Sequence, residues 1–226
     1  MTKKIFYLLC LIFSIIVISG VLTYKLFFEP TATLLQAIEK GDTAKVRSLL
    51  QRGANVNMRG EARATPLHAA AYYGRGEIAE LLISYGADIN AADDNGNTPL
   101  LISHTTPGES NPIRVLLKHG VNPNQLDKEG YSELAFSTLR NDLDSVNALL
   151  DHGADSNWSK VDKPYLTLLV LAVYEKHTDL VRILLAHGAD PNVTLPNGKT
   201  LLKVAKDNGD QKIVNLLQRA ISRRPY

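Results

Sequence analysis

Two rhythms of apolar positions divide the chain. From Ile5 to Tyr24 run 20 residues without a charge, interrupted only by Ser14, Ser19, Gly20 and Thr23. Beyond residue 31 the apolar positions recur instead in short bursts at helical spacing, as in Ile78 to Ile83 and Leu180 to Leu185. That spacing predicts helices that bury one face. The bursts end at Gly53, Gly86, Gly120, Gly153 and Gly188, which are 33, 34, 33 and 35 residues apart. Four residues after each Gly stands an Asn: Asn57, Asn90, Asn124, Asn157 and Asn192. Five matches at one period mark an internal repeat, and a Gly after the last helical turn supplies the left-handed residue that ends a helix.

The start of each unit is equally regular. Thr65, Thr98, Ser132, Thr167 and Thr200 stand where a hydroxyl can cap a helix N-terminus, and Pro66 and Pro99 follow at the first helical position, where a missing N–H costs nothing. One unit thus reads as a loop, a short helix, a turn, a longer helix and a Gly-ended exit. The small run Ala69-Ala70-Ala71 lets its helix approach neighbours closely.

On Thr65-Pro-Leu-His-Ala-Ala-Ala, on Asp93-Asp-Asn-Gly-Asn-Thr-Pro-Leu and on the five Gly-Ala-Asp-like exits, the sequence resembles the ankyrin repeat family. The resemblance spans about 32–221 as six units. It implies an all-α ankyrin repeat solenoid of helix-turn-helix units. The first unit lacks its loop and the last its exit, so both are expected to act as end caps, which a solenoid needs because its terminal faces meet water. Three units depart from the pattern. The third has Ser103-His104 in place of the Ala pair and a lengthened turn from Pro107 to Pro112, the fourth has Ser132-Glu133 in place of Thr-Pro, and the fifth carries two extra residues between Lys160 and Tyr165.

The N-terminal run is long enough for a helix of about 30 Å, the thickness of a bilayer core. Lys3 and Lys4 precede it, while Lys25 and Glu29 follow and cancel. The positive-inside rule then keeps the N-terminus in the cytoplasm and carries the rest across the membrane. The expected organisation is a basic segment at 1–4, a transmembrane signal-anchor or cleavable signal peptide at 5–24, a linker at 25–30, the repeat domain at 31–222 and a tail at 223–226. A retained anchor makes a single-pass inner (plasma) membrane protein with a periplasmic repeat domain; cleavage after Gly20 releases it into the periplasm; a buried soluble helix is the third reading. Net charge is +2, and setting aside residues 1–30 leaves 22 basic and 22 acidic residues. A neutral domain lacks the basic surplus that nucleic-acid binding favours. The single Cys, Cys10, lies in the apolar run, so no intramolecular disulfide framework or Cys-based zinc cluster is available.

Catalytic motifs are equally scarce. The resemblance assigns His68 a structural role, bonding to neighbouring backbone, and places His177 after an inter-helix turn. His119, His152 and His187 directly precede exit glycines, where a cation suits a helix C-terminus. That leaves His104, and one His makes neither a triad nor a metal site. Adjacent Asp93 and Asp94 do not oppose each other as an acid/base pair. We therefore expect no enzyme activity, no cofactor and no metal. Asn157-Trp-Ser and Asn192-Val-Thr match the glycosylation pattern, but they arise from the repeat itself.

What remains is binding. The family pattern, carried over residue by residue, puts loop and inner-helix positions on a concave face. These are Glu61, Tyr72 and Tyr73 in the second unit and Asp94, Asn95, Asn97, Thr105 and Thr106 in the third. The fourth gives Lys128, Glu129, Tyr131, Leu139 and Arg140, the fifth Lys163, Tyr174 and Glu175, and the last Lys199. Trp158, the only Trp, is expected at a loop base beside the same groove. Tyr and Arg favour interface hot spots because each joins a large rigid area to a polar tip. The resemblance, with export, points to a bacterial protein that binds another protein. The partner is either a toxin or effector enzyme, neutralised as by an immunity protein, or a resident envelope or stress-defence enzyme supported by a periplasmic scaffold.

Overall fold

The computed structural model describes residues 29–103, 111–160 and 162–223. Among them, twelve helices pair into six units. The pairs are α1 (Glu29–Lys40) with α2 (Thr43–Gln51), α3 (Pro66–Tyr72) with α4 (Gly76–Ser84), and α5 (Pro99–Ile102) with α6 (Pro112–Lys118). They continue with α7 (Glu133–Leu139) and α8 (Leu143–Asp151), α9 (Leu168–Tyr174) and α10 (Thr178–Ala186), and α11 (Leu201–Asp207) and α12 (Gln211–Ser222). Odd-numbered helices form an inner row and even-numbered helices an outer row, each packing on the unit before and after. The first helix starts at Glu29, inside the stretch 25–30 expected to be a linker. The apolar run 5–24 lies outside the described residues, and no helix among those described is long and apolar enough to cross a membrane.

Capping explains where the helices begin. Ser132, Thr167 and Thr200 accept from the amides of Ala135, Val170 and Lys203 at 3.2, 3.3 and 3.3 Å. Thr65 accepts from the His68 amide at 3.4 Å while its own N–H donates to His68 Nδ1 at 3.2 Å, so two otherwise orphaned amides are satisfied reciprocally. Thr98 departs from this pattern: its hydroxyl donates to Gln125 Oε1 of the next unit at 2.7 Å and makes no cap bond. Four of the six outer helices rely on Asp42, Asn111, Asp142 and Asp210, while α4 and α10 start without a side-chain cap bond.

The exit Asn has a mechanical role. Asn57 donates from Nδ2 to the Gly86 carbonyl at 2.9 Å and accepts the Asp88 amide at 2.8 Å. Asn124 makes the same clip to Gly153 and Asp155, and Asn157 to Gly188 and Asp190. Each clip ties one exit to the next, which is why Asn recurs with Gly. At the second junction Asn90 makes no such clip and instead accepts from Gln125 Nε2 at 3.3 Å.

Buried Leu, Ile, Val and Ala run through the stack as one continuous core from Leu34 to Leu217. Ala70 and Ala71 are fully buried, as the close approach of α3 requires. The fold is not purely helical. The extra residues of the fifth unit build a short antiparallel hairpin, β1 (Ser159–Lys160) with β2 (Lys163–Thr167), in which Ser159 opposes Thr167. In the fourth and sixth units a single bridge closes the corresponding loop.

Candidate binding face

The short inner helices and the loop tips line one face of the stack. At its N-terminal end lies a cavity of about 780 Å³ lined from three units: Leu35, Gln36 and Glu39 of α1, Glu61, His68, Ala69, Tyr72 and Tyr73 of the second unit, and Asp93 and Ile102 of the third. Tyr72 is 49% and Tyr73 36% exposed, and their rings meet edge to face at 5.2 Å and 86°. Such a pair is worth about 0.5–1.5 kcal/mol beyond the area it buries. Burial and the neighbouring Glu39 carboxylate raise the Tyr73 phenol above its ordinary pKa.

His68 forms the cavity's rear wall. Its Nδ1 lies 2.8 Å from Thr65 Oγ1 and its Nε2 3.0 Å from the Asn97 carbonyl. Burial lowers its pKa, outweighing the Asn97 bond, so the ring is a neutral strut between two units, in the structural role expected of it. Asn97 is correspondingly occupied: it is half-buried and bonded to Asp93 through both its amide and its side chain. Asp94 and Asn95 are exposed on the same loop, and Lys128 reaches back to the Asp94 carbonyl at 2.8 Å. Thr105 and Thr106 lie outside the described residues.

Farther along, Glu129, Leu139, Lys163, Tyr174, Glu175 and Lys199 are exposed. A smaller hollow of about 320 Å³ lies between Tyr165, Leu166, Tyr174, Leu195 and Pro196. Lys199 is paired with Asp207 at 2.8 Å. Arg140 is exposed too, but its guanidinium donates to the fully buried Glu133 carboxyl at 3.0 Å. Burial pushes the Glu133 carboxyl up to about 8 against the opposing pull of Arg140.

Trp158 is placed differently from the loop-base expectation. It is only 8% exposed and belongs to the core. Its ring lies 5.8 Å from that of half-buried Tyr131, which is capped in turn by Lys160 donating to the Tyr131 hydroxyl at 3.0 Å. Burying so large a ring between units yields more than leaving it wet, so Trp158 and most of Tyr131 join repeats and do not face a partner. Conversely, the repeat pattern assigned no surface residues to the loop-less first unit, yet α1 supplies one side of the cavity. Half-buried Leu35 beside exposed Gln36 and Glu39 was the available signal.

Stacked helix pairs with loops along one rim and exposed aromatics on one face define a helical-repeat binding solenoid. The family described as ankyrin repeats (three copies) matches residues 34–127 and 134–222, and the chain belongs to that family. Ankyrin repeats are protein-interaction modules. An ankyrin repeat-containing protein of Treponema pallidum (strain Nichols) is 35% identical over 113 residues, 50% of this chain and 38% of that one. The human transient receptor potential cation channel subfamily A member 1 is 30% identical over 125 residues, 55% of this chain and 11% of that one. The chain thus spans well under half the length of these relatives. Among solved structures, a chain of the Bdellovibrio bacteriovorus complex of a predatory endopeptidase with its immunity protein is 25% identical, with a TM-score of 0.65. The match covers 83% of this chain and 97% of that one. An ankyrin repeat domain from Acinetobacter baumannii AYE matches at 25% identity and a TM-score of 0.68, over 83% and 96%.

Proposed function

We propose that this chain is a non-catalytic, immunity-type protein that holds a toxin or effector enzyme on its concave face and so keeps it inactive. The observation that carries this reading is the solvent-exposed, edge-to-face Tyr72–Tyr73 pair over a cavity of about 780 Å³, the kind of aromatic anchor on which binding energy concentrates. The endopeptidase–immunity complex among its structural neighbours, matched over 97% of that chain, supports the choice of an enzyme as partner.

The reading extends to location. The uncharged run 5–24 behind Lys3 and Lys4 exports the repeat domain and keeps it at the outer side of the inner membrane. A reporter active only outside the cytoplasm, fused after Tyr226, is expected to give signal; silence would refute export.

The functional test is a deletion strain mixed with sibling cells. Sensitivity to one specific toxin, reversed by restoring the chain, is the expected result. A strain indifferent to every neighbour but with lowered activity of a resident envelope enzyme would instead make the chain a scaffold. Replacing Tyr72 and Tyr73 together by Ala is expected to weaken partner capture by about 2 kcal/mol or more, measured by calorimetry with the purified pair.

A further inference from the structure

The N-terminal cavity has a charge character that the neutral domain as a whole does not. Three carboxylates, Glu39, Glu61 and Asp93, line it, and among the described residues no Lys or Arg does. Two nearby arginines are committed to backbone: Arg75 donates to the Glu39 carbonyl at 2.8 Å, and Arg59 to the Arg63 and Ala92 carbonyls at 3.0 and 2.9 Å. The third, Arg63, is exposed on the Glu61 loop but does not line the cavity. His68 is held neutral by its burial and adds no positive charge. Asp93 is used within its own loop, accepting the Asn95 and Asn97 amides at 2.8 Å each. Glu39 and Glu61 remain exposed, one on α1 and one on a loop tip. The aromatic rings and the small apolar Ala69 line the same hollow.

An apolar occupant would strip water from two carboxylates without replacing it, and an acidic one would be repelled. A long aliphatic stem ending in a planar cation meets both demands. Its methylenes lie along Ala69 and Leu35, and its head stacks on a Tyr ring while bonding a carboxylate on either side.

We propose that this cavity takes one Arg side chain projecting from a loop of the bound protein, held between Glu39 and Glu61 against the Tyr72–Tyr73 pair. The proposal rests on the concave face being the docking face. It names the chemistry of the partner residue that enters there.

The probe is a seven-residue peptide, acetyl-Gly-Ser-Leu-Arg-Leu-Ser-Gly-amide, titrated into the isotope-labelled full chain. Two counterparts carry citrulline or Glu in place of Arg. Citrulline keeps the shape and hydrogen-bonding edge of Arg and removes the charge. The expected result is saturable movement of the Ala69, Tyr72 and Tyr73 amide signals with the Arg peptide. Affinity is expected to be at least tenfold weaker for citrulline, with no binding by the Glu peptide. The double substitution Glu39→Gln and Glu61→Gln, both at exposed positions, should abolish the difference between Arg and citrulline while the rest of the amide spectrum stays unchanged. Equal binding of the two peptides, or movement centred on the Tyr165–Pro196 hollow, would overturn the proposal. Capture of the partner enzyme is scored separately. If the double variant still captures it at full affinity, the cation pocket falls and the concave-face reading stands. If Arg selectivity is present but no enzyme is neutralised, the pocket stands and the inhibitor reading falls.

Discussion

At the residue scale, Glu133 is the position where this chain breaks its own pattern at greatest cost. It occupies the slot that holds Pro66 and Pro99 in other units and is fully buried, with its Oε1 accepting from Ser137 Oγ at 2.9 Å and from Arg140 at 3.0 Å. Burial raises its pKa from 4.5 to about 8. The folded state therefore keeps a proton that the unfolded chain loses between these values. The stabilisation it gives is complete below pH about 4.5, declines as pH rises, and is gone above about 8. His68 acts in the opposite sense, since its lowered pKa makes the fold lose stability as pH falls through its unfolded value of 6.5. The contribution of Glu133 is thus read as the difference between wild type and Glu133→Gln. Between pH 6 and 8 the wild type is expected to lose roughly 2 kcal/mol relative to the variant, seen as a converging urea midpoint. Parallel pH profiles would show that Glu133 stays ionised in the fold. A second residue-scale outcome concerns the turns between helices. Lys176 stands at φ 59° where Gly74 stands at φ 66° and Gly209 at φ 71°. Lys176→Gly is expected to stabilise by about 0.5–1 kcal/mol, whereas Gly153→Ala, at φ 87° with open space around a new Cβ, should cost about 1 kcal/mol from backbone strain alone.

At the scale of the element, what was legible in the sequence is what local rules decide. A Gly at φ 79° or more ends five outer helices, and a hydroxyl opens four of the five inner helices assigned one. Both follow from the bonding needs of helix ends and repeat with the sequence. The exceptions arise where a neighbouring unit competes. Thr98 gives its hydroxyl to Gln125, and Trp158 is drawn under Tyr131 of the unit before it. The two extra residues near Lys160 signalled an irregular loop, but only pairing Ser159 with Thr167 makes it a hairpin. The cavity was half legible. Tyr72 and Tyr73 follow from their places on α3, while its α1 wall depends on how two units stack. The exit clips allow a quantitative test. Asn124→Ala removes bonds of 3.0 and 2.8 Å across a junction and should cost about 1–2 kcal/mol. Asn90→Ala, losing one exposed bond of 3.3 Å to Gln125, should cost less than half of that. Equal costs in urea denaturation would mean that the clip is not what binds neighbouring exits.

For the whole molecule, the same junction decides how the solenoid comes apart. Stability in such a stack is close to a sum of unit terms and neighbour terms, so the weakest interface sets the boundary between cooperative blocks. The missing Asn90 clip puts that boundary between the second and third units. The outer helix α6 packs against α4 across that junction and against α8 on its other side, so it carries much of the load there. Native-state hydrogen exchange at rising denaturant is therefore expected to resolve two opening units. The amides of α1 to α4 should form one isotherm and those of α5 to α12 another. Ile113→Ala, in the core of α6, should separate the two isotherms further, because it weakens the helix that joins them. A single isotherm shared by Leu82 and Leu184, unchanged by that substitution, would mean that the outer row alone makes the stack one cooperative body. The docking face would then be rigid from end to end. With two blocks, the Tyr72–Tyr73 pair and the Tyr174 hollow belong to separately stable parts, and a partner spanning both gains affinity partly by holding them together.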